Sequence, residues 1–79
     1  MSTRQTVPVT TRALIQRINR KLAPQYRQLK VARGEKWRNE VGDYFILDAD
    51  RNIVAETHVD VVALARELGA MQAWESKVD

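Results

Sequence analysis

Between residues 10 and 22 the apolar side chains Leu14, Ile15, Ile18 and Leu22 fall within one arc when placed at about 100° per residue. The opposite arc carries Arg12, Gln16, Arg17, Arg20 and Lys21. This pattern predicts an amphipathic helix with a single buried stripe. Thr10 is its N-cap, because a side-chain oxygen there can accept from an otherwise orphan N–H of the first turn. Val9 and Leu14 form the accompanying hydrophobic staple. Pro24 has no N–H to donate and biases Ala23 away from the α region, so the helix stops near Leu22 or Ala23.

From Gln25 to Arg33 the period changes to two. Leu29 and Val31 alternate with Gln28, Lys30 and Ala32, which predicts a half-buried strand closed by Gly34. Residues 34–42 are polar and predict a loop, with a short helical turn as the alternative. The runs 44–48 and 53–59 are aromatic and branched and are joined by Ala49, Asp50, Arg51 and Asn52, so they read as a β-hairpin. In its second strand, Ile53, Ala55, Thr57 and Val59 are expected to face the helices, and Val54, Glu56 and His58 the other side. A second helix starts at the N-cap Asp60, repeats the staple with Val59 and Leu64, and buries Val61, Leu64, Ala65 and Leu68. Gly69 ends it. Met71 and Trp74 are expected to fold back over the edge of the core.

The predicted fold class is therefore α+β, in the order αβββα: a three-stranded antiparallel sheet with two helices packed on one face, the other face wet or open to a partner. Residues 1–9, which lack periodicity and include Pro8, form a flexible arm or an extended entry strand. Residues 10–75 form one domain and 76–79 a tail. With 79 residues the chain has apolar side chains for one core only. A deep substrate cavity is hard to accommodate in it. No apolar run is long enough for a signal-peptide core or a bilayer span, and with cysteine absent the reading is a cytoplasmic protein.

Charge changes the picture. Residues 1–42 hold ten Lys/Arg against Glu35 and Glu40, whereas 43–79 hold three against eight Asp/Glu, so the halves are +8 and −5. Such asymmetry points to an anionic partner for the first half, or to halves that attract each other as they fold. The cations Arg12, Arg17, Arg20, Lys21, Arg27, Lys30, Arg33, Lys36 and Arg38 are interleaved with Tyr26 and Trp37. Arrays of this kind neutralise phosphates while aromatic rings stack on bases, although no helix-turn-helix, zinc-finger or ribonucleoprotein motif accompanies them. Trp beside Arg equally suits a protein interface, with Trp37 as the anchor.

Catalytic and cofactor chemistry finds no foothold. Ser2 and Ser76 lie near the termini, away from any base, and His58 is the one histidine. Asp48, Asp50, Glu56 and Asp60 cluster around the hairpin without the glycine and terminal glutamate of a calcium loop, and turn formation and capping account for the aspartates. Gly34, Gly42 and Gly69 stand singly at element ends, so neither a P-loop nor a dinucleotide fingerprint is present. The expectation is no cofactor, no metal and no enzyme.

The segments Arg12-Ala-Leu-Ile-Gln-Arg-Ile-Asn-Arg-Lys-Leu22, Gly42-Asp-Tyr-Phe-Ile-Leu-Asp48, Thr57-His-Val-Asp60 and Leu64-Ala-Arg-Glu-Leu-Gly69 resemble a group of small uncharacterised bacterial proteins found on chromosomes and mobile elements. The likeness spans most of residues 12–75. It implies a compact bacterial domain, would fit a small inhibitor of host defence, and carries over no catalytic or binding residue. Two functions are expected from the sequence: a protein-interaction module, adaptor or inhibitor, working through the basic surface, and a nucleic-acid-binding protein using that same surface. A homodimer through the sheet fits either.

Overall fold

The computed structural model describes residues 7–78. Its elements in chain order are β1 (Val7–Val9), α1 (Thr11–Leu22), a 3-10 turn (Ala23–Gln25), β2 (Arg27–Val31), α2 (Glu35–Val41), β3 (Tyr44–Asp48), β4 (Ile53–Glu56), α3 (Val61–Glu67) and β5 (Glu75–Lys77). The class is α+β, with three helices, an antiparallel sheet in the order β2-β3-β4 and a small parallel pair β1-β5 among the described residues.

The caps work as the sequence chemistry requires. Thr10 Oγ1 accepts from the Ala13 N–H at 3.1 Å and Asp60 Oδ1 from the Ala63 N–H at 3.1 Å. Leu14, Ile18 and Leu22 of α1 are buried, as are Val61 and Ala65 of α3. They meet Leu29 of β2 and Ile46 of β3 in one apolar cluster that also takes in Val9 and Met71. Leu29 and Ile46 are aligned across the β2–β3 ladder, so both side chains leave the sheet on the same face.

The alternate strand residues face the other way and build a second cluster. Ala32, Val41 and Phe45 are buried there, with Leu47 and Val54 packed against them. Its cover is α2, the segment expected to be a loop. The helical alternative is what forms, because Trp37 and Val41, four residues apart, give a one-turn apolar stripe that the sheet can bury. The expectation of a fully open second sheet face is corrected accordingly.

Four further expectations are corrected. The first strand is shorter than 25–33, since Tyr26 adopts a left-handed conformation (φ 58°) that ends the 3-10 turn and β2 begins only at Arg27. The last hairpin strand ends at Glu56 rather than at 59, and its register shifts opposite Ile46/Leu47. Ile53 and Val54 keep the expected sides, aligned with Asp48 and Leu47, and Val54 packs on the second cluster; beyond the bulge Glu56 is aligned with Ile46, on the side expected for Ala55, while Ile53, Ala55 and Thr57 are exposed and Val59 packs against the first cluster. Trp74 is 58% exposed, whereas Met71 is buried. The terminal segments also pair: Val7, Pro8 and Val9 of the proposed arm align with Glu75, Ser76 and Lys77. Residues 1–6 and 79, the remainder of the expected arm and tail, lie outside the described residues.

Candidate binding surfaces

The ten residues singled out from the sequence fall on two sides of the sheet. Arg12, Arg20 and Lys21 are exposed on α1, on the face of the sheet that carries the first cluster. Lys30, Arg33, Lys36, Trp37 and Arg38 gather around α2 on the opposite face, where Lys30 is the cross-strand neighbour of Phe45. Trp37 stands edge-on to Phe45, with ring centroids 5.7 Å apart and planes at 84°, and is still 38% exposed. Phe45 thus fixes the indole while leaving part of it to solvent.

Three of the cations are engaged by carboxylates of the second half. Arg17 Nη1 donates to both oxygens of Glu75 at 2.9 Å and to the Ala70 carbonyl at 3.3 Å. Arg27 lies 3.7 Å from Glu56 and Arg38 3.6 Å from Asp43, both pairs exposed enough to be screened by salt. Among the described residues the remaining six, Arg12, Arg20, Lys21, Lys30, Arg33 and Lys36, form no ion pair. The attraction between halves therefore accounts for a minority of the charge asymmetry.

Among the described residues Glu75 is the one buried charged residue. Its carboxylate accepts from the Gln72 N–H at 2.8 Å as well as from Arg17. The Gln72 hydrogen bond first, then the Arg17 guanidinium, hold its pKa below the ordinary carboxylate value against the opposing effect of burial. Arg17 is thereby spent on holding the C-terminal segment, which removes it from any outward-facing surface.

The sequence reading missed a groove of about 1020 Å³ between the end of α2, the start of β3 and the β4–α3 connection. Arg38, Asp43, Tyr44, His58, Asp60 and Lys77 are among its walls. His58 adopts a left-handed conformation (φ 53°), its N–H donates to the Val41 carbonyl at 2.7 Å, and it lies directly over Gly42. Asp60 is spent on its cap and Asp43 faces Arg38, so the groove's charges are largely answered from within. Among the described residues no three His, Asp or Glu side chains come together as metal ligands.

Asn19 was also missed. Its carboxamide accepts from the Leu29 N–H at 2.6 Å and donates to the Leu29 carbonyl at 3.2 Å, so one side chain stands in for a neighbouring strand along the outer edge of β2. The available signal was an asparagine, a poor helix former, at the border of the apolar arc inside an otherwise well-formed helix.

The molecule is thus a small α+β domain with a partly covered sheet and two separate cationic surfaces. No family model, curated protein or solved structure gives a significant match to the chain. No helix among the described residues is long and apolar enough to cross a membrane.

Proposed function

We propose that this chain is a non-enzymatic, cytoplasmic protein-interaction module, an adaptor or inhibitor, that takes an acidic protein segment on the surface built by α2 and the sheet beneath it. The observation that carries the reading is Trp37, held by Phe45 yet 38% exposed, with the exposed Lys36 beside it in α2, exposed Arg33 just before that helix and exposed Lys30 the cross-strand neighbour of Phe45. A rigid aromatic anchor with a cationic rim is the usual composition of an interface hot spot, and it supplies affinity from the ring and orientation from the charges. The frame we infer beneath it is an αβββα core, with α1 and α3 on one face of the sheet, to which α2 and the terminal strand pair are additions.

A second reading, a nucleic-acid-binding accessory protein, has its own observation. Tyr26 is 67% exposed and follows the last turn of α1, which carries Arg20 and Lys21, so an aromatic face and unpaired cations share one corner. The two readings use different surfaces and separate cleanly.

The test is a heteronuclear NMR titration of the chain at low salt with two probes, an acidic peptide bearing leucines at helical spacing and a single-stranded oligonucleotide. Shifts centred on Trp37, Lys30 and Lys36 with the peptide, lost in Trp37→Ala, support the interaction module. Shifts centred on Tyr26, Arg20 and Lys21 with the oligonucleotide, weakening steeply with salt, support the second reading. If neither probe moves any resonance, both are wrong.

A further inference from the structure

Asn19 seals the outer edge of β2 at Leu29, where a planar carboxamide meets the N–H and C=O of a single residue. Backbone groups along an antiparallel strand alternate between the inner and the outer side. Tyr26 and Ala32 turn inward, since the Tyr26 carbonyl accepts from the Ala49 N–H at 2.8 Å and the Ala32 N–H donates to the Asp43 carbonyl at 2.9 Å. Arg27 therefore faces outward as Leu29 does, and among the described residues no hydrogen bond meets its N–H or C=O. A cleft of about 240 Å³ opens at this place, walled by Asn19, Ala23, Tyr26, Arg27, Gln28 and Ala49. Tyr26 is held there in a left-handed conformation (φ 58°) that is costly for any residue with a Cβ. Its N–H donates to the Ala23 carbonyl at 3.0 Å, so both of its backbone groups are pinned. The ring belongs to neither apolar cluster and is 67% exposed. A strained, fixed and exposed aromatic that gives nothing to the core marks a place where a ligand uses it.

We propose that this cleft binds a nucleobase, its face against Tyr26 and its edge on the Arg27 N–H and C=O, in the way the Asn19 carboxamide meets those of Leu29. An extended strand is not the occupant. It would pair with alternate residues, and the next outward pair is taken by Asn19, while Gln25 on the other side lies in the 3-10 turn. The occupant needs one donor and one acceptor side by side. Every nucleobase carries such a pair on its hydrogen-bonding edge and a π-face besides. A plain carboxamide carries the pair but leaves Tyr26 unused, and a cleft with room for about eight waters is larger than it fills. Arg20, exposed and without an ion pair, stands one helical turn before Ala23 on the same side of α1, placed to meet a phosphate. Because all bases offer the pair, the preference among them is weak. The base comes from a free nucleotide or from a single strand; in the second case the site deepens the nucleic-acid reading above and rests on it.

Heteronuclear NMR of the full chain at low salt tests it, with the four nucleoside monophosphates to about 5 mM, ribose phosphate as the probe that lacks a base, and a short single-stranded DNA; circular dichroism accompanies every variant. The expected result is movement of the Arg27 amide resonance with nucleotide or DNA and none with ribose phosphate. Tyr26→Gly suits the left-handed backbone and is expected to weaken binding about tenfold in a fold that is no less stable, while Tyr26→Phe binds as the wild type does. Should Tyr26→Gly loosen the turn, Tyr26→Asn, which also tolerates this conformation, decides. Tighter binding of DNA than of nucleotide identifies a strand as the source of the base, and the reverse a free nucleotide. DNA that moves Arg20 and Lys21 but leaves the Arg27 amide still keeps the nucleic-acid reading and overturns this proposal. Equal shifts with ribose phosphate overturn it too, as does wild-type affinity in a folded variant without the ring. If no probe moves any resonance, both fall together.

Discussion

Glu75 and Gly42 show how much single side chains, or the lack of one, fix in so small a chain. Glu75 ties β5 to α1 through Arg17 and to the preceding turn through the Gln72 N–H. Because its pKa is lowered in the folded state, the stabilisation it gives is fully present above the pKa of an unfolded glutamate, about 4.3, and is lost as pH falls through the lower folded value. Urea midpoints measured from pH 7 to pH 3 are expected to fall more for the wild type than for Glu75→Gln, which starts lower and has less to lose. Equal slopes would count against this account of the C-terminal segment. At Gly42 the backbone has φ 83° and an added Cβ would lie 2.7 Å from His58 Nδ1 and 2.8 Å from His58 Cα. Gly34 has φ 90° but nothing within 4 Å of such a Cβ. Gly42→Ala is therefore expected to cost about 2–4 kcal/mol, the sum of backbone strain and a clash with backbone, and Gly34→Ala only about 1 kcal/mol of strain, in chemical denaturation.

At the scale of elements, the helices α1 and α3 and the β3–β4 hairpin were legible because each carries a local signal: a cap, a staple, and an apolar period long enough to identify. α2 carries only seven residues and a single apolar repeat, so its helicity comes from the sheet face it covers rather than from its own pattern. The β1–β5 pair leaves no local signal at all, since a parallel ladder joins segments from opposite ends of the chain. The bulge in β4 moved Glu56 to the side opposite the one expected, leaving Ile53 and Val54 as assigned, one extra residue being invisible to a period-two argument. The sealing of β2 by Asn19 belongs to this scale as well. Asn19→Ala removes both partners of Leu29 and is expected to destabilise the fold by about 1–3 kcal/mol. It should also expose a second strand edge, so faster loss of soluble protein on warming is the accompanying outcome; a neutral, equally soluble variant would show that the edge needs no seal.

For the whole molecule, the sequence displayed the cations but not how the fold would divide them. The sheet sets α1 and α2 on opposite faces, Arg17 is consumed by Glu75, and what the sequence presents as one basic array becomes two smaller surfaces. Trp37 was recognisable as an anchor from its neighbours, whereas its partner Phe45 depended on α2 folding back over the sheet. Reversal of the α2 rim, Lys30→Glu with Lys36→Glu, is expected to abolish acidic-peptide binding while shifting the thermal midpoint by a few degrees at most, because both side chains are exposed and unpaired. The most direct measurement uses Trp74→Phe, which leaves Trp37 as the sole indole and alters only a residue that is 58% exposed. Titrated at low salt with an acidic peptide bearing leucines at helical spacing, its fluorescence is predicted to shift to the blue and saturate as the ring is covered. Emission that stays constant while the peptide binds elsewhere, or no binding at all, would contradict the account.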